Sequence, residues 1–148
     1  MSNTGDAVSQ LLGIRASGPL PLMSAVEQGL PLASLDRVVG LVSPSDRKLA
    51  IRIVARATLA RRRKAFATAK NPAEGRLSAE EGTRLTRLAS VWAMAIEVWG
   101  ETEAARRFMF EQHPMLDGRR PIDVVLDNEL GRPLVEGILG RLQYGSAV

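Results

Sequence analysis

From Ser78 to Trp99 the chain contains no proline and places Leu85, Leu88, Ala89, Trp92, Ala95, Ile96 and Trp99 at the spacing of one helix face. Ser78-x-x-Glu81 opens the run with a capping-box pattern, in which each side chain can satisfy the other residue's free amide. Gly100 closes it. Val91, Met94 and Val98 widen the apolar face, so a central helix touched from two sides is expected. Burial of each Leu- or Ile-sized side chain contributes roughly 1.5–3 kcal/mol. Such a helix commits its surroundings to helical packing, and no period-two run bounded by turns competes with it. The predicted fold class is all-α.

Glycine and proline divide the remaining sequence into short helices. Glu101 to Glu111 reads as a helix with Ala105, Phe108 and Met109 inward, stopped before Pro114. Pro121 suits the first position of a helix that buries Ile122, Val125 and Leu126. Gly131 is expected to break that helix. Pro133 then opens the last one, with Leu134, Val135, Ile138, Leu139 and Leu142 on its inner face. Gly137 and Gly140 each cost about 1 kcal/mol relative to Ala inside a helix, which points to a close approach to another backbone, in this chain or in a partner.

Upstream, residues 1–22 scatter Gly5, Gly13, Gly18, Pro19 and Pro21 without a sustained apolar period, and read as a flexible N-terminal arm. A helix over Ser24–Gln28 should end at Gly29. Ser34 is a candidate cap for the stripe Leu35, Val38, Val39 and Val42, and Ser43-Pro44 for the next helix. Ser45 to Thr68 lacks Gly and Pro, so it forms either one long helix or two joined at Ile53-Val54-Ala55. Asn71-Pro72-Ala73-Glu74-Gly75 is the expected boundary between a basic lobe over residues 23–70 and a second lobe over residues 77–148.

Charge separates the same two lobes. Residues 45–64 hold eight Lys/Arg against one acid, a net +7, whereas residues 77–148 hold eight basic and eleven acidic residues, a net −3. That asymmetry suits a polyanion at one lobe and a different partner at the other. The absence of cysteine excludes disulfides and thiolate chemistry. No signal-peptide pattern and no apolar run of about 18 residues is visible, so a cytoplasmic location without a membrane partner is expected.

Enzymatic chemistry finds little footing. The single histidine, His113, precedes Pro114 in a turn, and neither a phosphate-binding loop nor a paired-His zinc spacing occurs. Glu80-Glu81 is explained by the partial positive charge of a helix N-terminus, and Asp117-Gly118 by turn formation. No catalytic residue, metal ligand or cofactor is therefore expected. The basic stretch offers better chemistry: Arg56, Thr58, Arg61, Arg62 and Arg63 can donate to phosphate, and arginine can read guanine through paired hydrogen bonds. The turn before them lacks the usual glycine, and Thr58 is the only candidate cap. Aromatic residues are not interleaved, which argues against single-strand binding by stacking.

Gly29-Leu30-Pro31, Ser34-Leu35-Asp36-Arg37 and Thr58-Leu59-Ala60-Arg61-Arg62 together resemble the helix-turn-helix region of Xre/MbcA/ParS-type antitoxins. Leu77 to Glu81, Arg84-Leu85 and Ala95 to Gly100 resemble the start of that family's toxin-binding domain. Leu116 to Asp123, Glu129-Leu130-Gly131 and Gly140 to Gly145 match its remaining signature. The resemblance covers Gly29 to Gly145. It departs at Gly82-Thr83, where the family usually has Ser-Asp, and in Ala65 to Arg76, which looks longer than usual.

The resemblance implies an antitoxin that binds a RES-domain toxin, an NAD-consuming enzyme that degrades NAD or ADP-ribosylates a target, and obstructs its active site. It also implies repression of the antitoxin's own operon by operator binding, as a homodimer or in a heterotetramer with toxin. Gly118, Arg119, Arg120, Arg141, Tyr144 and Gly145 are the toxin-binding candidates it indicates. A rival expectation is a stand-alone DNA-binding regulator whose C-terminal lobe only dimerises.

Overall fold

A computed structural model describes residues 4–68 and 75–145. Among these, nine α-helices and the 3-10 turn Pro114–Leu116 supply the named elements, and a β-bridge pairs Pro31 with Arg76. The all-α expectation holds. The chain divides into two compact units, Met1–Thr86 and Arg87–Val148.

In the first unit, α1 (Thr4–Leu12), α2 (Pro19–Gln28), α3 (Leu32–Val42), α4 (Lys48–Ile53) and α5 (Arg56–Thr68) precede α6 (Ala79–Trp99), whose first turns belong here. The N-terminal stretch is not the arm expected from its glycines. Val8 and Leu12 are buried, and α1 packs against α3. The Ser34 hydroxyl donates to the Leu12 carbonyl, and Arg37 donates to the Gln10 and Leu11 carbonyls at 2.9 and 3.3 Å. Ser34 is therefore a fully buried tie to α1, and the N-cap position of α3 falls to Pro31. Gly29 ends α2 as expected, at a φ of 106°.

Leu35, Val38 and Val42 face the core. Ser43-Pro44 does not start the next helix. Ser43 closes α3, and α4 begins at Lys48, whose amide donates to Asp46 Oδ1 at 2.9 Å. Of the two readings of Ser45–Thr68, the structure has two helices, with the break at Val54-Ala55.

The lobe boundary also moves. Of the expected break, Asn71 to Glu74 lie outside the described residues. Beyond it, the chain is bound to the first unit: Leu77 N–H donates to the Leu30 carbonyl at 2.8 Å, and Arg76 donates to the Gly29 carbonyl at 2.9 Å. The capping box forms as predicted, with Ser78 N–H on Glu81 Oε1 at 2.8 Å and Glu81 N–H on Ser78 Oγ at 3.1 Å. Division at Thr86/Arg87 follows from these contacts, since the first two turns of α6 bond back to the basic helices.

In the second unit, the rest of α6 is followed by α7 (Thr102–Phe110), a 3-10 turn (Pro114–Leu116), α8 (Pro121–Asp127) and α9 (Gly131–Gln143). Leu88, Val91, Trp92, Ala95, Met109, Ile122, Val125, Val135 and Leu139 form its core. Arg87 donates to the Val125 and Leu126 carbonyls, both at 3.1 Å, and so satisfies acceptors left open at the end of α8. Gly131 starts α9 rather than interrupting a helix, and a Cβ there would lie 1.9 Å from the Val124 carbonyl oxygen. Within this chain the close backbone approach is at Gly131, not at Gly137 or Gly140. Around the other two, the nearest atoms are side-chain tips at 4.0 and 3.8 Å. Leu134 and Leu142 are exposed rather than inward.

Candidate functional site

The basic surface is built on α4 and α5. Val54, fully buried and extended (φ −126°, ψ 126°), makes the turn that glycine makes elsewhere, because extended backbone suits a β-branched residue. Ala55 follows, and its carbonyl accepts from Leu59 N–H at 2.8 Å. Thr58 is thus inside the first turn of α5 and not its cap. Arg84, on α6, donates to the Ile53 carbonyl at 2.7 Å and satisfies an acceptor at the end of α4. Only Leu59 of α5 is buried.

With about 3.6 residues per turn, Ala57, Arg61 and Lys64 lie on the side of α5 away from Leu59, and all are exposed. Arg56, at the first position of α5, is exposed too. Two other expected DNA contacts are engaged within the protein. Arg62 is ion-paired with Glu81, the two side chains only 16% and 14% exposed. Arg63 makes a two-pronged pair with Asp36 of α3 at 2.8 and 3.1 Å, which holds its pKa above the ordinary arginine value. Burial acts to raise the Glu81 carboxyl, but the Ser78 amide and the Arg62 guanidinium outweigh it and hold that carboxyl below its ordinary range.

In the second unit, the six sequence-predicted contact residues fall into two groups. Asp117 (φ 55°) and Gly118 (φ 79°) are consecutive left-handed residues, a conformation that glycine takes without steric cost. His113 closes this turn. Its N–H donates to the Arg119 carbonyl, and its own carbonyl accepts from Gly118 N–H, both at 3.0 Å. Its Nδ1 accepts from Met115 N–H at 3.1 Å. Arg119 is left exposed beside the tip. Arg120 is held instead by Asp123 at 2.8 and 3.0 Å, with its guanidinium 5.7 Å from the centre of the Phe110 ring. That pairing raises its pKa above the ordinary value. In the other group, Arg141 donates to the Gly137 carbonyl of its own helix at 3.3 Å, Tyr144 is 81% exposed, and Gly145 has a φ of 73°.

Sequence reasoning missed a cleft of about 280 Å³ in this unit, lined by Trp99, Ala104, Arg107, Phe108, Glu111, Gln112, His113 and Leu142. Trp99 and Leu142 were expected inward from their helix spacing, yet they are 41% and 43% exposed. Both stand in the last turn of a helix, where the face that points into the core upstream runs out of neighbours. The cleft takes Leu142 from next to Arg141 and His113 from the base of the Gly118-Arg119 turn, so it links the two predicted groups. Among the described residues no cluster of His, Cys, Asp or Glu could hold a metal ion, and no helix is long and apolar enough to cross a membrane.

Comparison with known protein families agrees with this architecture. A family model for the antitoxin Xre-like helix-turn-helix domain matches residues 21–90, and one for the antitoxin Xre/MbcA/ParS C-terminal toxin-binding domain matches residues 94–145. A helix-turn-helix module followed by a toxin-binding module defines an antitoxin. The chain belongs to the Xre/MbcA/ParS-type family. No match was found among curated proteins.

Proposed function

We propose that this antitoxin neutralises a RES-domain, NAD-consuming toxin by covering its active site, and that it represses its own operon through α4 and α5. The observation that carries this reading is the pairing of two unlike surfaces in one chain. An exposed cationic helix face belongs to the unit matched by the helix-turn-helix model, and an exposed turn and helix end belong to the toxin-binding region. Gly118, Arg119, Tyr144 and Gly145 are the exposed candidates for toxin contact, with Arg141 beside them. Arg120 supports the turn through Asp123. On the DNA side, Arg56 and Arg61 are the principal phosphate or base contacts and Thr58 a subsidiary one, while Arg62 and Arg63 brace α5. The active form is a homodimer, or a heterotetramer with toxin.

Growth rescue tests the toxin half. Co-expressed with the protein encoded by the adjacent reading frame, the wild-type chain should restore growth and suppress NAD loss. R119E combined with Y144A should weaken rescue at least tenfold in the antitoxin dose required, with an unchanged melting temperature. Undiminished rescue by that variant removes these residues from the interface, and no toxicity or NAD loss from the partner alone removes the RES-toxin reading. Operator-fragment binding tests the other half, and a chain that binds DNA yet leaves the partner's toxicity untouched is a stand-alone regulator.

A further inference from the structure

Resting on the antitoxin reading above, we infer that the cleft between α7 and the end of α9 is an anchor pocket that receives one aromatic side chain projecting from the toxin. Its volume, about 280 Å³, is at the lower edge of the ~300–1,000 Å³ typical of small-molecule sites and is ample for a single bulky side chain. The walls are apolar where it is deep and polar at the mouth. Phe108 is 7% exposed at the floor, Trp99 and Leu142 are partly open beside it, and Arg107 and Glu111 stand exposed at the rim. An apolar centre enclosed by polar residues is the usual make-up of an interface hot spot.

The rings select the guest. Trp99 and Phe108 have centroids 6.2 Å apart and tilted at 40°, and Phe108 meets His113 edge-on at 6.1 Å and 70°. Both separations lie within the roughly 4.5–7 Å of favourable ring pairs. An aromatic ring entering the cleft extends this series, whereas an aliphatic side chain gains only contact area. The Nδ1 of His113 is already occupied by the Met115 amide, so the imidazole stays fixed as a wall. Every lining residue falls within residues 94–145, the span matched by the toxin-binding model. The cleft is also flanked by the two groups of exposed residues proposed to touch the toxin.

Binding of the purified protein from the adjacent reading frame to the full chain, measured by titration calorimetry, tests the pocket. Two variants close it differently: Ala104→Trp fills it, and Leu142→Asp places a charge in its wall. Melting temperature and light scattering are recorded for each. The expected result is binding weakened at least tenfold by both variants, with folding and oligomeric state unchanged. Wild-type affinity in either folded variant overturns the pocket while leaving the antitoxin reading intact. A wild-type chain that does not bind the partner overturns both. A change of oligomeric state at unchanged partner affinity makes the cleft a contact between copies of this chain and also overturns the proposal.

Discussion

Gly131 shows how a single residue sets the approach of two helices. A Cβ at this position would collide with the Val124 backbone, which cannot rotate away as a side-chain tip can. Gly131→Ala should therefore destabilise the chain by about 1–3 kcal/mol, the range for overpacking. A Cβ at Gly137 would meet only the Arg141 side-chain tip, at 4.0 Å, and Gly137→Ala should stabilise α9 by up to about 1 kcal/mol. Urea midpoints of the two variants, measured side by side, check the contrast. Equal shifts would mean that α8 and α9 are not locked at Gly131. Sequence inspection did not single out Gly131 for this approach, because crowding at a helix start depends on the preceding helix's carbonyls, and these have no signature in the residue itself.

At the scale of elements, α5 carries its cations between Arg56 and Lys64, and they divide by partner. Arg62 and Arg63 are spent on Glu81 and Asp36, while Arg61 and Lys64 face away from the core. Removing a phosphate contact should reduce the slope of log affinity against log salt by about 0.9 per cation. We expect that reduction for Arg61→Ala and Lys64→Ala, and an unchanged slope with lower affinity for Arg62→Ala. Filter binding to operator DNA across a salt series measures it, and a reduced slope for Arg62→Ala would return that residue to the DNA surface. Glu81→Gln addresses the same brace through pH. The folded carboxyl titrates below its ordinary value of 4.5, so its contribution is complete above that pH and is lost as pH falls through the lower folded value. The stability gap between wild type and Glu81→Gln should be about 1–3 kcal/mol near neutrality and should close in acid. A gap that persists at low pH would assign the effect to packing.

Local rules made much of this legible. The capping box, the Gly29 and Gly100 stops and the Pro121 start are decided by a few adjacent residues, and all stand where sequence reading put them. Helix α1 was illegible for the opposite reason. It is short, and Val8 and Leu12 become a stripe only once α3 supplies the surface and Ser34 the tie. The cleft, likewise, arises where Trp99 and Leu142 outlast their packing partners, which periodicity along one helix cannot register.

For the whole molecule, the two family matches and the two compact units give nearly the same division, and the surfaces proposed for DNA and toxin fall on separate sides of it. Arg56→Ala with Arg61→Ala should abolish operator binding and spare growth rescue, while Arg119→Glu with Tyr144→Ala should do the reverse. Reporter repression and toxin rescue, assayed on both double variants, separate them, and joint loss in either would mean that the two activities share residues. The break suggested by sequence at residues 71–75 looks like a natural place to cut the chain. Yet Arg76, Leu77, Glu81 and Arg84 all bond to the helix-turn-helix unit. A chimera meant to exchange toxin specificity between relatives must be spliced beyond Thr86, inside a helix. A junction before Arg76 would strip the donor of the buttress on which its DNA reader rests.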